Sequence, residues 1–302
     1  MVPDRRVAVA VRPAARAHTP KRPPRLEAVD VVLLGYLTVV TAVAIYRAPG
    51  QPGCWWVAGA NLLAVGLVGL VTRPGLGRAG RTFRRIYPLL LLPVLYGELD
   101  VLNRAGVAVH DATVQRWELA LFGSQVSRDW WQAAPSELWS TVLHGAYFSY
   151  YFIVSVPAFW FLARGDVAAA RRFVLAVMTT FVVCYLAFVF YPVAGPYYTF
   201  PRPAAWFLDN PAARLVYETL ARGSSYGAAF PSSHVAATVA AAITAAQGSR
   251  RLGLILTAPT VLLTVGVVYC QMHYAVDALG GMVVGSLVAV VVGRADPADL
   301  SP

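Results

Sequence analysis

Residues 173–190 read FVLAVMTTFVVCYLAFVF, 18 consecutive positions without an Asp, Glu, Lys or Arg. A helix of that length and character suits the hydrocarbon core of a bilayer, which about 20 apolar residues rising 1.5 Å each are enough to cross. Similar runs lie on both sides of it. The pattern predicts about eight spans, at roughly 29–46, 54–72, 86–103, 138–163, 168–191, 230–247, 252–272 and 275–293. The first and sixth are the weakest, being short or rich in small residues. Composition agrees: of 302 residues, 58% are hydrophobic and 13% charged, about half the charged share of an ordinary soluble domain. Too few charges remain to cover a core in water, so the expected fold is an all-α integral membrane protein. No internal repeat is visible, and the only low-complexity segment is the Pro/Arg-rich start.

The formal charge of +10 does not point to nucleic acid, because its distribution follows the membrane. With the N-terminus inside, eighteen of the 25 Lys and Arg residues fall in the tail, the 73–85 loop, the 164–172 loop, Arg250, Arg251 and Arg294. Seven fall outside: Arg47, Arg104, Arg116, Arg128, Arg202, Arg214 and Arg222. Such an excess sets orientation rather than ligand. It predicts a multi-pass protein of the cell membrane with both termini cytoplasmic. Residues 1–28, rich in Arg, Pro and Ala, read as a disordered basic tail. No small-x-small cleavage site follows the first apolar run, so that span reads as retained. Cys54, Cys184 and Cys270 are scattered and odd in number, giving neither a disulfide framework nor metal-ligand spacing.

Ionisable groups beside spans are costly and mark function by default. His110, His144, His234 and His273 all fall on the outer half of this topology, so alternating spans deliver distant residues to one face. The sharpest local signal is Tyr269-Cys270-Gln271-Met272-His273-Tyr274-Ala275-Val276-Asp277. His273 and Asp277 are four apart and share a helix face. A carboxylate there fixes the imidazole tautomer and stabilises its charged form. The bland alternative is a helix-end pair reaching for water. The second signal is Gly227-Ala228-Ala229-Phe230-Pro231-Ser232-Ser233-His234, before a helix of small residues. Ser caps a first helical turn, and the free N–H groups plus two hydroxyls make an anion site. A histidine in that place can pass a proton to a phosphate ester; an ordinary capped helix with a solvent-facing His is the competing account.

Pro231-Ser232-Ser233-His234, followed by His273 and Asp277 in His-Tyr-Ala-Val-Asp-Ala-Leu-Gly-Gly, resembles the type 2 phosphatidic acid phosphatase superfamily. The nearer likeness is to its inositol phosphorylceramide synthase branch. That rests on Tyr191-Pro192-Val193-Ala194-Gly195-Pro196 and on Asp111 with Glu118 to Gly123. The resemblance covers roughly residues 86–293 and implies a six-helix catalytic core at 86–295, with 29–85 as two additional helices. It implies a lipid phosphotransferase or lipid phosphate phosphatase working through a phosphohistidine at the outer membrane face. Its substrate is a phospholipid or lipid phosphate, and an inositol-phosphate headgroup passed to a lipid acceptor is one form the reaction takes. His273 is the implied nucleophile, Asp277 its orienting acid and His234 the proton donor and acceptor. Ser232 and Ser233 hold the phosphoryl oxygens, and no cofactor or metal is called for. The different class in competition is a non-catalytic lipid transporter or scramblase on the same fold, which has no need of a nucleophile with its acid.

The chain also departs from the family. The phosphatase branch carries a Lys and an Arg-Pro before the Ser-His motif, whereas no Lys follows Lys21 here, and Val267 replaces the Arg six residues before the second catalytic His. Arg202 and Arg222, in the long outer loop, are the candidates to meet phosphate charge. Arg116 is a further one. His144, Tyr147, Tyr150 and Tyr151 read as an interfacial aromatic belt, with a headgroup pocket as the alternative. Glu98 and Asp100 read as partners for Arg104, with a place facing the site as the alternative, and Trp117, Trp130 and Trp131 as a segment lying on the outer surface.

Overall fold

The computed structural model describes residues 26–104 and 106–294. The seven cations of the basic tail lie outside the described residues. Among those described there are helices and no strand, as the apolar runs predict. Three helices, α1 (Ala28–Arg47), α2 (Cys54–Val71) and α3 (Arg78–Asn103), lead to two short ones, α4 (Asp111–Phe122) and α5 (Val126–Ala133). Next come α6 (Glu137–Phe148), α7 (Tyr150–Ala163) and α8 (Val167–Phe190). The short α9 (Pro196–Thr199), α10 (Ala205–Leu208) and α11 (Pro211–Gly223) precede α12 (Ser233–Gly248), α13 (Arg250–Tyr269) and α14 (Ala275–Arg294).

Six helices are long and apolar enough to cross a bilayer: α1, α2, α3, α8, α13 and α14. The pair α6 and α7, bent by 41° at Ser149, makes a seventh if counted as one broken span. The run at 230–247 becomes α12, only 16 residues long. It is built from Ala and Thr and packs on α8, α13 and α14. A helix surrounded by protein needs no lipid-facing surface, which is why its sequence is less apolar than its neighbours.

The core lies between α8 and α12, where Phe173, Phe181, Phe188, Ala236, Ala237 and Ala241 are fully buried. The outward side chains, such as Leu62, Leu63, Leu254 and Val291, are large, apolar and exposed, an arrangement that lipid tolerates and water does not. At one end Arg84 joins α3 to Asp30 of α1 at 2.6 Å, and Arg171 of α8 reaches Glu27 at 3.4 Å. At the other end Arg47 donates to Leu102 O (2.9 Å) and Val189 O (3.2 Å), the carbonyls at the ends of α3 and α8. The first two helices are further tied in by Asn61. With its amide oriented to satisfy both neighbours, it donates to Glu98 at 3.0 and 3.2 Å and accepts from Thr41 at 3.1 Å.

Candidate active site

Close backbone packing brings the two histidine motifs together. A Cβ on Gly281 would meet Ser232 O at 2.6 Å, and one on Gly285 would meet Ala236 O at 2.2 Å. Small residues four apart therefore let α14 lie against α12 at a distance no side chain allows. The first turns of the two helices end up adjacent, and Ser232 N donates to Asp277 O at 2.9 Å. Ser232 also caps α12, its hydroxyl accepting from Val235 N at 3.4 Å.

Between α13 and α14 the chain reverses in five residues, Cys270 to Tyr274. Met272 N and His273 N both donate to Val267 O, at 2.9 and 2.8 Å. Gln271 holds φ at 60°, the left-handed region, which costs a non-glycine residue roughly 1–2 kcal/mol. Its side chain is clamped at both ends, Nε2 donating to Pro201 O at 2.8 Å and Oε1 accepting from Trp131 Nε1 at 3.1 Å. His273 Nδ1 then faces two acceptors, Ala229 O at 3.1 Å and Asp277 Oδ2 at 3.4 Å. Two acceptors on one nitrogen place the proton on Nδ1 and leave the lone pair on Nε2. Asp277 is fully buried and also accepts from Tyr274 N at 2.9 Å.

Behind this loop stands a second layer of anchors. Asp111 accepts from Ala194 N and Gly195 N, each at 2.8 Å, and from the Tyr274 hydroxyl at 3.0 Å. That hydroxyl also meets Gln115 Nε2 (2.9 Å) and Thr199 Oγ1 (2.8 Å). Gly195, at φ 90°, is required where it sits, because a Cβ there would come within 2.8 Å of Ala229 Cβ. Val193 pairs with Ala228 through Val193 N to Gly227 O (3.1 Å) and Ala229 N to Val193 O (2.9 Å). Glu118 is buried beside Ser127 N at 3.4 Å. Burial pushes its pKa up, opposed by backbone N–H groups at the starts of α5 and α14.

The rings of His234 and His273 are 5.7 Å apart, and both line a small chamber. Its other walls include Tyr96, Tyr147, Tyr197, Tyr198, Ser224 and Ser225. His234 also borders a larger groove of about 660 Å³ between α3, α7, α8 and α11, walled by Leu89, Leu92, Pro93, Val154 and Tyr185 among others. A family model, the PAP2 superfamily, matches residues 113–291. The chain belongs to the PAP2 superfamily. No curated protein and no solved structure matches it. Members of the superfamily are in general phosphatases and phosphotransferases, so the coarse activity is of the lipid phosphatase or phosphotransferase type, in a multi-pass membrane protein.

As a PAP2 site this one is poor in cations. Among the described residues lining the chamber there is no Arg or Lys. Arg222 lines the groove, together with Ser233 and His234. Arg202 instead lies over the rings of Tyr197 and Tyr217, at 5.9 and 5.7 Å. Of the other histidines, His110 stacks on Tyr191 with centroids 4.0 Å apart. His144 is buried elsewhere, its Nδ1 facing Ser140 O at 2.8 Å and Cys270 Sγ at 3.4 Å.

Several sequence expectations are corrected by packing. Trp131 is not a surface anchor but a buried donor to Gln271. Glu98 faces Asn61, leaving Asp100 alone to pair with Arg104 at 2.9 Å. The tyrosine cluster splits as well. Tyr147 and Tyr150 are packed on His234, with centroids 4.8 and 4.5 Å away, while Tyr151 is 47% exposed. Sequence reasoning had only the 147–151 aromatic density to go on, and a membrane belt produces the same density.

Proposed function

We propose that this PAP2 member is a lipid phosphotransferase that works through a phosphohistidine on His273. The observation that carries the reading is the pairing of a His273 whose Nδ1 is held by Asp277 with a second histidine 5.7 Å away on the same chamber. His273 Nε2 attacks phosphorus as the P–O bond to the lipid alcohol breaks, and protonated His234 gives its proton to the departing oxygen. The incoming alcohol then loses its proton to His234 and attacks phosphorus. The P–N bond breaks and its electron pair returns to Nε2. Splitting one displacement into two is the logic of covalent catalysis.

The cation-poor chamber supports transfer from a phosphodiester. A diester carries one negative charge, whereas a phosphate monoester carries about −1.5 to −2 at neutral pH and calls for fixed cations around its oxygens. The likeness of Tyr191–Pro196 and of Asp111 with Glu118–Gly123 to the inositol phosphorylceramide synthase branch supports an inositol-phosphate headgroup. Purified protein should consume a phosphodiester lipid only when an acceptor alcohol is present. Inorganic phosphate released from a lipid phosphate at a rate unaffected by any added alcohol would overturn the transferase reading.

The cation distribution supports an active site on the outer face of the cell membrane, with the termini and the 73–85 loop cytoplasmic. A cysteine placed at Ser224 in the chamber wall should react with an impermeant reagent in intact cells, and one at Gly75 should not. Labelling at Gly75 alone would reverse the orientation.

A further inference from the structure

His234 has an asymmetric environment. Its Nε2 lies 3.2 Å from the Tyr147 hydroxyl, while its Nδ1 is buried and has no hydrogen-bond partner among the described residues. Unlike His273, it has no carboxylate behind it among the described residues. Among the described residues the one polar side chain bonded to Nε2 is Tyr147. That tyrosine is 8% exposed, against 47% for Tyr151. It also lines the chamber shared by the two histidines. Tyr150, one helical turn on and across the 41° break between α6 and α7, packs against the same imidazole with its ring tilted by 52°.

We propose that Tyr147 is a positioning residue for proton transfer by His234, a role that rests on the general acid–base reading of that histidine. The hydroxyl replaces the missing carboxylate as the group that fixes the ring. With Nδ1 unsupported, the imidazole is free to turn about its Cβ–Cγ bond and take Nε2 away from the reacting oxygen. The hydrogen bond between the Tyr147 hydroxyl and Nε2, with the tilted contact of the Tyr150 ring on the same imidazole, holds Nε2 toward the chamber. The same hydroxyl lies beside the path by which an alcohol oxygen reaches Nε2, so alcohol entry exchanges one oxygen partner for another.

The test is a double-mutant cycle of Tyr147→Phe and His234→Ala, because residues that act through one another do not add. The ring is kept in Tyr147→Phe, so packing around His234 survives, and an unchanged melting temperature checks this. Tyr147→Phe should lower kcat about tenfold with KM unchanged, a loss of about 1.4 kcal/mol in transition-state stabilisation. It should cause no further loss once His234 is alanine. With a lipid analogue that releases a nitrophenol, whose departure needs no protonation, single-turnover release by Tyr147→Phe should match the parent. A loss in Tyr147→Phe that persists in the His234→Ala background, or is the same for the nitrophenol substrate, would overturn the proposal. So would full activity of Tyr147→Phe. Full activity of His234→Ala would instead overturn the underlying acid–base reading.

Discussion

On one side of the chamber His273 stands at the end of a turn in which nearly every polar group is engaged. Its Nδ1 meets Ala229 O and Asp277, its own N–H meets Val267 O, and Gln271 just before it is clamped at both ends. On the other side His234 opens a helix made almost entirely of small residues, with aromatic rings around it and a single hydrogen bond at Nε2. A nucleophile has to keep one nitrogen bare and aimed at phosphorus, so a rigid, charged backing suits it. A residue that gives up one proton and regains one in each turnover is better served without a carboxylate fixed on its ring, which would hold it in the charged form. The difference in surroundings is what the proposed division of roles rests on, without reference to order in the chain.

The comparison is sharpest when each histidine is removed. His273→Ala should abolish acid-labile labelling of the protein by a radioactive lipid phosphodiester, since His273 is the chamber histidine whose Nδ1 Asp277 holds, leaving Nε2 to attack. Asp277→Asn should reduce labelling by up to about 10⁴, the scale on which a lost orienting acid acts. His234→Ala should slow turnover by about 10²–10⁴ and recover much of that with a good leaving group. Label that persists in His273→Ala would exchange or dissolve the two assignments.

A smaller effect is expected from the anchors behind the turn. Asp111→Asn keeps the shape but turns an amide N–H toward one of the donors that Asp111 now accepts, at Ala194, Gly195 or Tyr274. A buried donor left unsatisfied costs about 1–3 kcal/mol. The variant should melt earlier in detergent and lose activity in step with the loosened His273 turn, while the His234 side keeps its geometry. An unchanged melting temperature would mean that the clamp contributes nothing to holding the turn.

The amino-acid sequence by itself determined the membrane class, most of the long helices and the superfamily, and it singled out His234, His273 and Asp277 as candidates for the reaction. These signals are local: hydropathy sums over a run of about 20 residues, and His273 and Asp277 meet because four residues make one helical turn. Helix α12 was the least clear of the spans for a related reason, since a buried Ala-rich helix gives up the apolar surface by which spans are recognised. Only the tertiary structure decided which of the remaining polar residues face the reaction. His144 and Tyr147 are three residues apart, yet one is buried against Cys270 and the other touches His234, 87 positions along the chain. Spacing along α6 could not sort them, because that depends on how α6, α12 and α13 pack. That no Arg or Lys among the described residues lines the chamber is likewise a result of packing. The 192–230 segment holds several arginines, but Arg202 turns onto tyrosine rings and Arg222 borders the groove. A charge in a loop is free to point many ways until the fold fixes its neighbours.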